Sequence, residues 1–137
     1  HEQGREAVFH RAFDCTFDQK KMMEQLITLG ADRVLTSGGA PDAWTGRETL
    51  KQLQSEYGKE ITILAGSGVN EKNVAELIES TGIHQVHSSC RSWLTDRTTS
   101  KGSVNFSYAD EEHVNRYEAV DPEKVRRLSA RFHLTNP

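Results

Sequence analysis

Apolar residues recur through the first two thirds of the chain as short runs that alternate with amphipathic stretches. The segment Val8-Phe9-His10-Arg11-Ala12-Phe13-Asp14 starts apolar and turns charged before Cys15-Thr16-Phe17-Asp18. It predicts a strand over roughly 7–13. Met22, Met23, Leu26, Ile27 and Leu29 then return at helical spacing, with Asp18 as the N-cap, Phe17 and Met22 as a hydrophobic staple, and Gly30 where a left-handed stop is wanted.

The same plan repeats about every 25 residues, the period of βα units. A second strand is expected over 33–37, followed by Gly38-Gly39 and a loop through Pro41. Thr45 with Glu48 reads as a capping box for a helix bearing Leu50, Leu53 and Tyr57 and closed by Gly58. The third strand, 61–65, runs into Gly66-Ser67-Gly68. Asn70 then caps a helix with Val69 and Val74 as staple, Leu77 and Ile78 as apolar face, and Gly82 as stop. A fourth strand covers 85–89. Strands alternating with helices over short loops imply a parallel sheet.

From 91 to 120 the periodicity is lost. The stretch is polar, its Trp93, Phe106, Tyr108 and Tyr117 follow no helical or strand period, and it reads as a long loop. Asp121 as N-cap and Pro122 at the first helical position open a last helix over 121–134, with Val125, Leu128 and Phe132 on one face.

Composition narrows the function classes. A chain of 137 residues is expected to form a single domain, and its 35% hydrophobic content must build a core mainly before residue 92. A net charge of −3 with acids and bases interspersed offers no footprint for nucleic acid or an anionic membrane. No apolar run approaches the ~20 residues that span a bilayer, and no signal-peptide pattern opens the sequence. Cys15 and Cys90 have no C-x-x-C spacing, which suits a reducing, cytoplasmic setting. Asn105-Phe106-Ser107 fits a glycosylation sequon only by coincidence if nothing exports the chain. The first residue is His1, so the start is expected to be a processing or construction boundary.

Parallel α/β folds, closed or open, gather their chemistry at the C-terminal ends of the strands. Strand one brings His10, Arg11 and Asp14 there; by alternation His10 and Asp14 share a face and Arg11 lies opposite. His10 as acid-base group oriented by Asp14, with Arg11 on a bound anion, is one reading, and an arginine-carboxylate structural network is the other. Ser37 and Gly38 stand at the end of strand two. Gly66, Ser67 and Gly68 let backbone N–H groups approach an anion, strand four ends in Ser89, and Arg91 follows it after Cys90. For metal, Cys15, Cys90 and His87 sit at or just past strand ends, with a thiolate-imidazole set suited to Cu(I) or zinc. Buried thiols and rim histidines are the plainer alternative, and Met22 and Met23 read as core.

The segment from Val8 to Asp14, Gln25-Leu26 through Gly30, Arg33-Val34-Leu35-Thr36-Ser37-Gly38-Gly39, Gly66-Ser67-Gly68-Val69-Asn70 and Val86-His87-Ser88-Ser89-Cys90-Arg91-Ser92 together resemble the copper homeostasis protein family CutC, in order and spacing, over 7–92. The resemblance implies a (β/α)8 TIM barrel, a cytoplasmic protein, and copper homeostasis with Cu(I) binding. It reaches only the second half of that barrel, about four C-terminal βα units. The family's glycine triplet is here Gly66-Ser67-Gly68, and Cys90 stands where a small residue is usual, so neither Cys15 nor Cys90 inherits a ligand role from the family. Half a barrel leaves two strand edges unpaired. The expectation is a piece of a longer protein whose N-terminal half is missing; a homo-oligomer that completes the barrel, or an open sheet, are the other solutions. The alternative function is a barrel enzyme or sensor for a small phosphorylated or carboxylated metabolite.

Overall fold

The computed structural model of the chain describes residues 4–106 and 110–135. His1, Tyr108 and the Ser107 of the sequon lie outside the described residues. The described residues fall into two compact units, one built from the chain up to Ser88 together with Leu128 onward, the other from Ser89–Arg127.

The first unit is a parallel sheet with helices between its strands. Its elements are β1 (Val8–Phe9), a 3-10 helix (Arg11–Cys15), α1 (Gln19–Thr28), β2 (Arg33–Thr36), α2 (Arg47–Tyr57), β3 (Thr62–Gly66), α3 (Val74–Thr81) and β4 (Gln85–His87). All neighbours pair parallel in the order β1-β2-β3-β4, with Phe9 beside Val34, Val34 beside Ile63, and Ala65 beside Val86.

Alternation along the strands sorts the side chains. Val34, Thr36, Ile63 and Ala65 are buried, and the apolar members join Met23 and Leu26 of α1, Leu50 and Leu53 of α2, and Leu77 and Ile78 of α3 in one core. The intervening residues Arg33, Leu35, Thr62 and Leu64 are only half-buried and are not part of that core. Met22, Leu128 and Phe132 pack on its margin, the last two from α4 (Pro122–Thr135).

Helix ends follow the chemistry expected of them at several places. Asp18 accepts from the Lys21 N–H at 3.0 Å, and Gly30 and Gly82 are both left-handed at φ +73°. Asp121 accepts from the Glu123 N–H at 2.9 Å behind Pro122. Three expectations need correction. Phe17 is fully exposed and staples nothing. Thr45 does not cap α2, whose N-cap is Gly46; the Thr45 N–H and hydroxyl both donate to Asp42 instead. Ahead of α3 a turn comes first, in which Asn70 accepts from Lys72 N–H and Asn73 becomes the N-cap.

The largest correction concerns strand one. It is extended only over Val8–Phe9, and Arg11–Cys15 wind into a 3-10 helix. The alternation that put Arg11 and Asp14 on opposite faces therefore does not hold: at i and i+3 of a 3-10 helix they meet on one side.

The second unit occupies the stretch read as loop. It contains β5 (Arg91–Thr95) paired antiparallel with β8 (Arg116–Val120), a small pair of β6 (Ser100–Lys101) with β7 (Val104–Asn105), and a 3-10 turn at Glu111–His113. None of its described residues is buried. Among the described residues no helix is long and apolar enough to cross a membrane.

Candidate functional site

The strand ends of the first unit are organised by one carboxylate. Asp14, its side chain 7% exposed, accepts from Arg11 Nε at 2.7 Å, Thr36 Oγ1 at 2.5 Å, Ser37 N–H at 3.1 Å and Gly39 N–H at 3.0 Å, and Ser37 Oγ lies 3.0 Å away. Successive backbone N–H groups that converge on one point make an anion-binding nest. Here the chain's own carboxylate fills it. Burial pushes the Asp14 pKa up, but the donors Thr36, Arg11, Gly39 and Ser37 together outweigh it and hold the group below its ordinary value.

Glycine makes that nest possible. Gly38 and Gly39 are consecutive left-handed residues at φ +73° and +72°, and a Cβ on Gly38 would lie 2.5 Å from the Gly46 carbonyl oxygen. Gly46 in turn leaves no room for a side chain, since its Cβ would fall 1.9 Å from the Ser37 carbonyl oxygen. The loop after β2 is thus folded back on itself, with the Ser37 and Gly39 amides turned toward Asp14 and the Gly38 amide donating to Thr36 Oγ1 at 2.9 Å.

Arg11 is positioned by the same network. Beyond Asp14, its Nη2 donates to Ser37 Oγ at 2.7 Å and to the Ala40 carbonyl at 3.4 Å. Ser37 Oγ has one proton and two acceptors, Ala40 O at 2.5 Å and Asp14 at 3.0 Å, and the shorter contact takes it. The Arg11 side chain is 39% exposed, and no described residue accepts from its Nη1. His10 stands apart from this network. Its Nδ1 accepts from the Ala12 N–H at 3.0 Å, which places the proton of the neutral ring on Nε2, and the exposed ring stacks on Phe9. Asp14 therefore orients the β2 loop and Arg11, not His10.

The second loop, after β3, laces onto the first. Ser67 is left-handed at φ +78°, a conformation costing a non-glycine residue about 1 kcal/mol. Its Oγ donates to the Pro41 carbonyl at 2.9 Å and its carbonyl accepts from Ala43 N–H at 3.0 Å. The Gly68 carbonyl accepts from both Asn70 Nδ2 and Asn73 Nδ2 at 2.9 Å, and Ser88 Oγ donates to the Val69 carbonyl at 2.6 Å. A cleft of about 460 Å³ opens beside Asp14, Gly38 and Gly39, bordered by the Lys20–Glu56 ion pair at 2.8 Å. Thr36, Gly39, Ala40 and Gly46 are the members of this assembly that sequence reading missed; the Gly38-Gly39 doublet was the one local sign of it.

The remaining candidates are distributed differently. Cys15 is exposed on the 3-10 helix, His87 is exposed at the end of β4, and Cys90 is half-buried and left-handed at φ +44° in the second unit. Neither cysteine is in a disulfide. Among the described residues no group of three or more His, Cys, Asp or Glu is placed to hold a metal ion. Ser89 and Arg91 belong to the second unit, where Arg91 Nη1 lies 2.7 and 2.8 Å from the two carboxylate oxygens of Glu118.

A parallel sheet fed by βα repeats, with polar groups collected on the strand-end loops, defines a protein of the βα-repeat class. Comparison with known proteins narrows the class. The sequence model of the CutC family matches residues 1–92, and the chain belongs to that family. It is 41% identical over 116 residues to a CutC family protein of Bacteroides thetaiotaomicron, covering 85% of this chain and 46% of that one. With the CutC family protein of Glaesserella parasuis the figures are 36% over 124 residues, 90% and 50%. The crystal structure of CutC from Streptococcus agalactiae, whose name assigns it provisionally to copper homeostasis, aligns with a TM-score of 0.58 at 35% identity, covering 62% of this chain and 42% of that one. The chain spans about half the length of the curated relatives it matches.

Proposed function

We propose that this chain works in copper homeostasis in the cytoplasm, with Cu(I) as its cargo, and that its four βα units form part of a (β/α)8 TIM barrel. Family membership and the likeness to the Streptococcus agalactiae protein support the role. The observation that carries the architecture is the all-parallel order β1-β2-β3-β4, whose two outer edges a closed barrel would pair. The other half of the barrel comes from the N-terminal part of a family-length chain or from a further copy of this one. Two cysteines outside any disulfide fit a reducing compartment.

Cu(I) favours soft thiolate donors, and Cys15 is exposed and free to take that role, with Cys90 and His87 as the other candidates. Titrating the protein with Cu(I) against a chromogenic Cu(I) chelator tests the reading. The wild type should withdraw copper from the chelator and the Cys15→Ser/Cys90→Ser double variant should not. Equal withdrawal by both would remove the cysteines as ligands, and no withdrawal by the wild type would remove copper from this chain.

A second reading is favoured by Arg11, a partly exposed side chain fixed in place with Nη1 still available as a donor. On this reading the rim belongs to an enzyme or sensor and takes a small carboxylated or phosphorylated metabolite. Arg11 holds the anion, the amides of the Gly66-Ser67-Gly68 loop line its site, Ser37 and Gly38 are further candidate contacts, and His10 exchanges a proton through Nε2. Inorganic phosphate should then raise the melting temperature of the wild type and leave Arg11→Gln unmoved. The same rise in both would eliminate Arg11 as the anion's partner.

A further inference from the structure

Arg11 can hold an anion only with the donors and the charge that its own bonds leave over. A guanidinium grips a carboxylate or phosphate best through two parallel N–H bonds, and the edge formed by Nε and Nη2 is one place where it does so. In this protein that edge is spent. Nε donates to Asp14 Oδ2 at 2.7 Å, and Nη2 donates to Ser37 Oγ at 2.7 Å and to the Ala40 carbonyl at 3.4 Å. The donor left over among the described residues is Nη1. The Ser37 hydroxyl adds no second donor, because its one proton is directed at the Ala40 carbonyl, 2.5 Å away. All these bonds join residues 11–40, so the spent edge does not depend on any other part of the protein.

Charge is limited in the same way. Asp14 is ionised at neutral pH and lies 2.7 Å from the guanidinium, and among the described residues neither side chain has another charged hydrogen-bond partner. An anion at Nη1 is attracted by Arg11 and repelled by Asp14 from slightly farther off, so the two fields largely cancel. A second negative charge on the ligand then gains little, while the hydration it gives up grows with the square of its charge. We infer that the rim site at Arg11 is selective for a small monocarboxylate over a phosphorylated ligand, and that Asp14 sets this preference by compensating the Arg11 charge. The inference rests on the anion-binding reading and selects one of the two ligand classes which that reading admits.

The test is the rise in melting temperature at about pH 8, where phosphate carries close to two charges, with sodium acetate and sodium phosphate each compared with sodium chloride at equal ionic strength. Acetate should bind the wild type about fivefold or more tighter than phosphate, and Arg11→Gln should respond to neither. Methanesulfonate, tetrahedral like phosphate but singly charged, should follow acetate. Asp14→Asn keeps the shape of the carboxylate and removes its charge, and it should reverse the order in favour of phosphate. Phosphate binding as tightly as acetate, with Arg11→Gln silent to both, would overturn the selectivity and leave the anion-binding reading standing. Methanesulfonate following phosphate would overturn the role of charge, whether or not Asp14→Asn folds, and so would a folded Asp14→Asn that keeps the wild-type order. A wild type that responds to no anion, or an Arg11→Gln variant that responds as the wild type does, would overturn both the selectivity and the reading beneath it.

Discussion

In the first unit, β2 and β3 press every second residue into a core shared by three helices, whereas in the second unit β5 and β8 pair over five residues a side and bury nothing. Both are hydrogen-bonded strand pairs. The difference is what stands behind the ladder. In the second unit the supports are the Arg91–Glu118 pair, the stack of Trp93 on His113 at 4.1 Å, and the Asp110–His113 contact at 2.6 Å, all wholly or partly solvated. Solvated pairs contribute little, while a buried side chain contributes through both desolvation and packing. The first unit also has polar ties, but they converge on a carboxylate screened from water, where each lost partner strands the others.

That contrast sets an order of effects. Asp14→Ala should be the most damaging, by about 4 kcal/mol in urea denaturation, because it leaves Arg11, Thr36 and the Ser37 and Gly39 amides without their acceptor. The same carboxylate gives the first unit a pH signature. Its folded-state pKa is lowered, so its contribution is complete above the unfolded carboxylate range near ~3.9 and is lost as pH falls through the lower folded value. Acid titration of Asp14→Asn should therefore show a shallower loss of stability below about pH 4 than the wild type. An identical slope would mean that the network does not hold the charged form.

Ile63→Val, in the centre of the core, should cost about 1 kcal/mol by the same urea assay. Glu118→Ala should cost about 0.5 kcal/mol or less, with the residual effect disappearing in high salt. If Glu118→Ala matched Ile63→Val, the two units would not differ in the way described.

How much of this was legible in the sequence depends on whether the cause is local. Asp18, Gly30, Gly82 and the Asp121-Pro122 pair act within a few residues of themselves, and their roles could be read directly. The shortening of β1 could not be read. Asp14 takes its partners from Thr36, Ser37 and Gly39, more than 20 residues away, and the 3-10 turn that delivers it overrides the local alternation. The Gly38-Gly39 doublet flagged a tight turn without saying that a carboxylate would fill it.

Phe17 misled because apolar spacing at a helix start does not say whether the ring finds a surface to cover. Strands β5 and β8 left no periodic trace because neither face is buried, so nothing in their composition had to alternate. Arg11 and Asp14 were read both as acid-base chemistry and as a structural network; the geometry ties them to Ser37 and the β2 loop, and His10 is turned to Ala12.

The central claim is that Asp14 organises the strand-end rim by occupying the amide nest of the β2 loop. Residue-resolved amide exchange on the native chain tests it most directly, at Gly39. This residue is exposed, yet its N–H donates to Asp14 at 3.0 Å. Its amide should exchange as slowly as the β2 and β3 amides in the wild type and rapidly in Asp14→Asn. Rapid exchange at Gly39 in the wild type would contradict the account, because the loop amides would then be open to water and the nest unfilled.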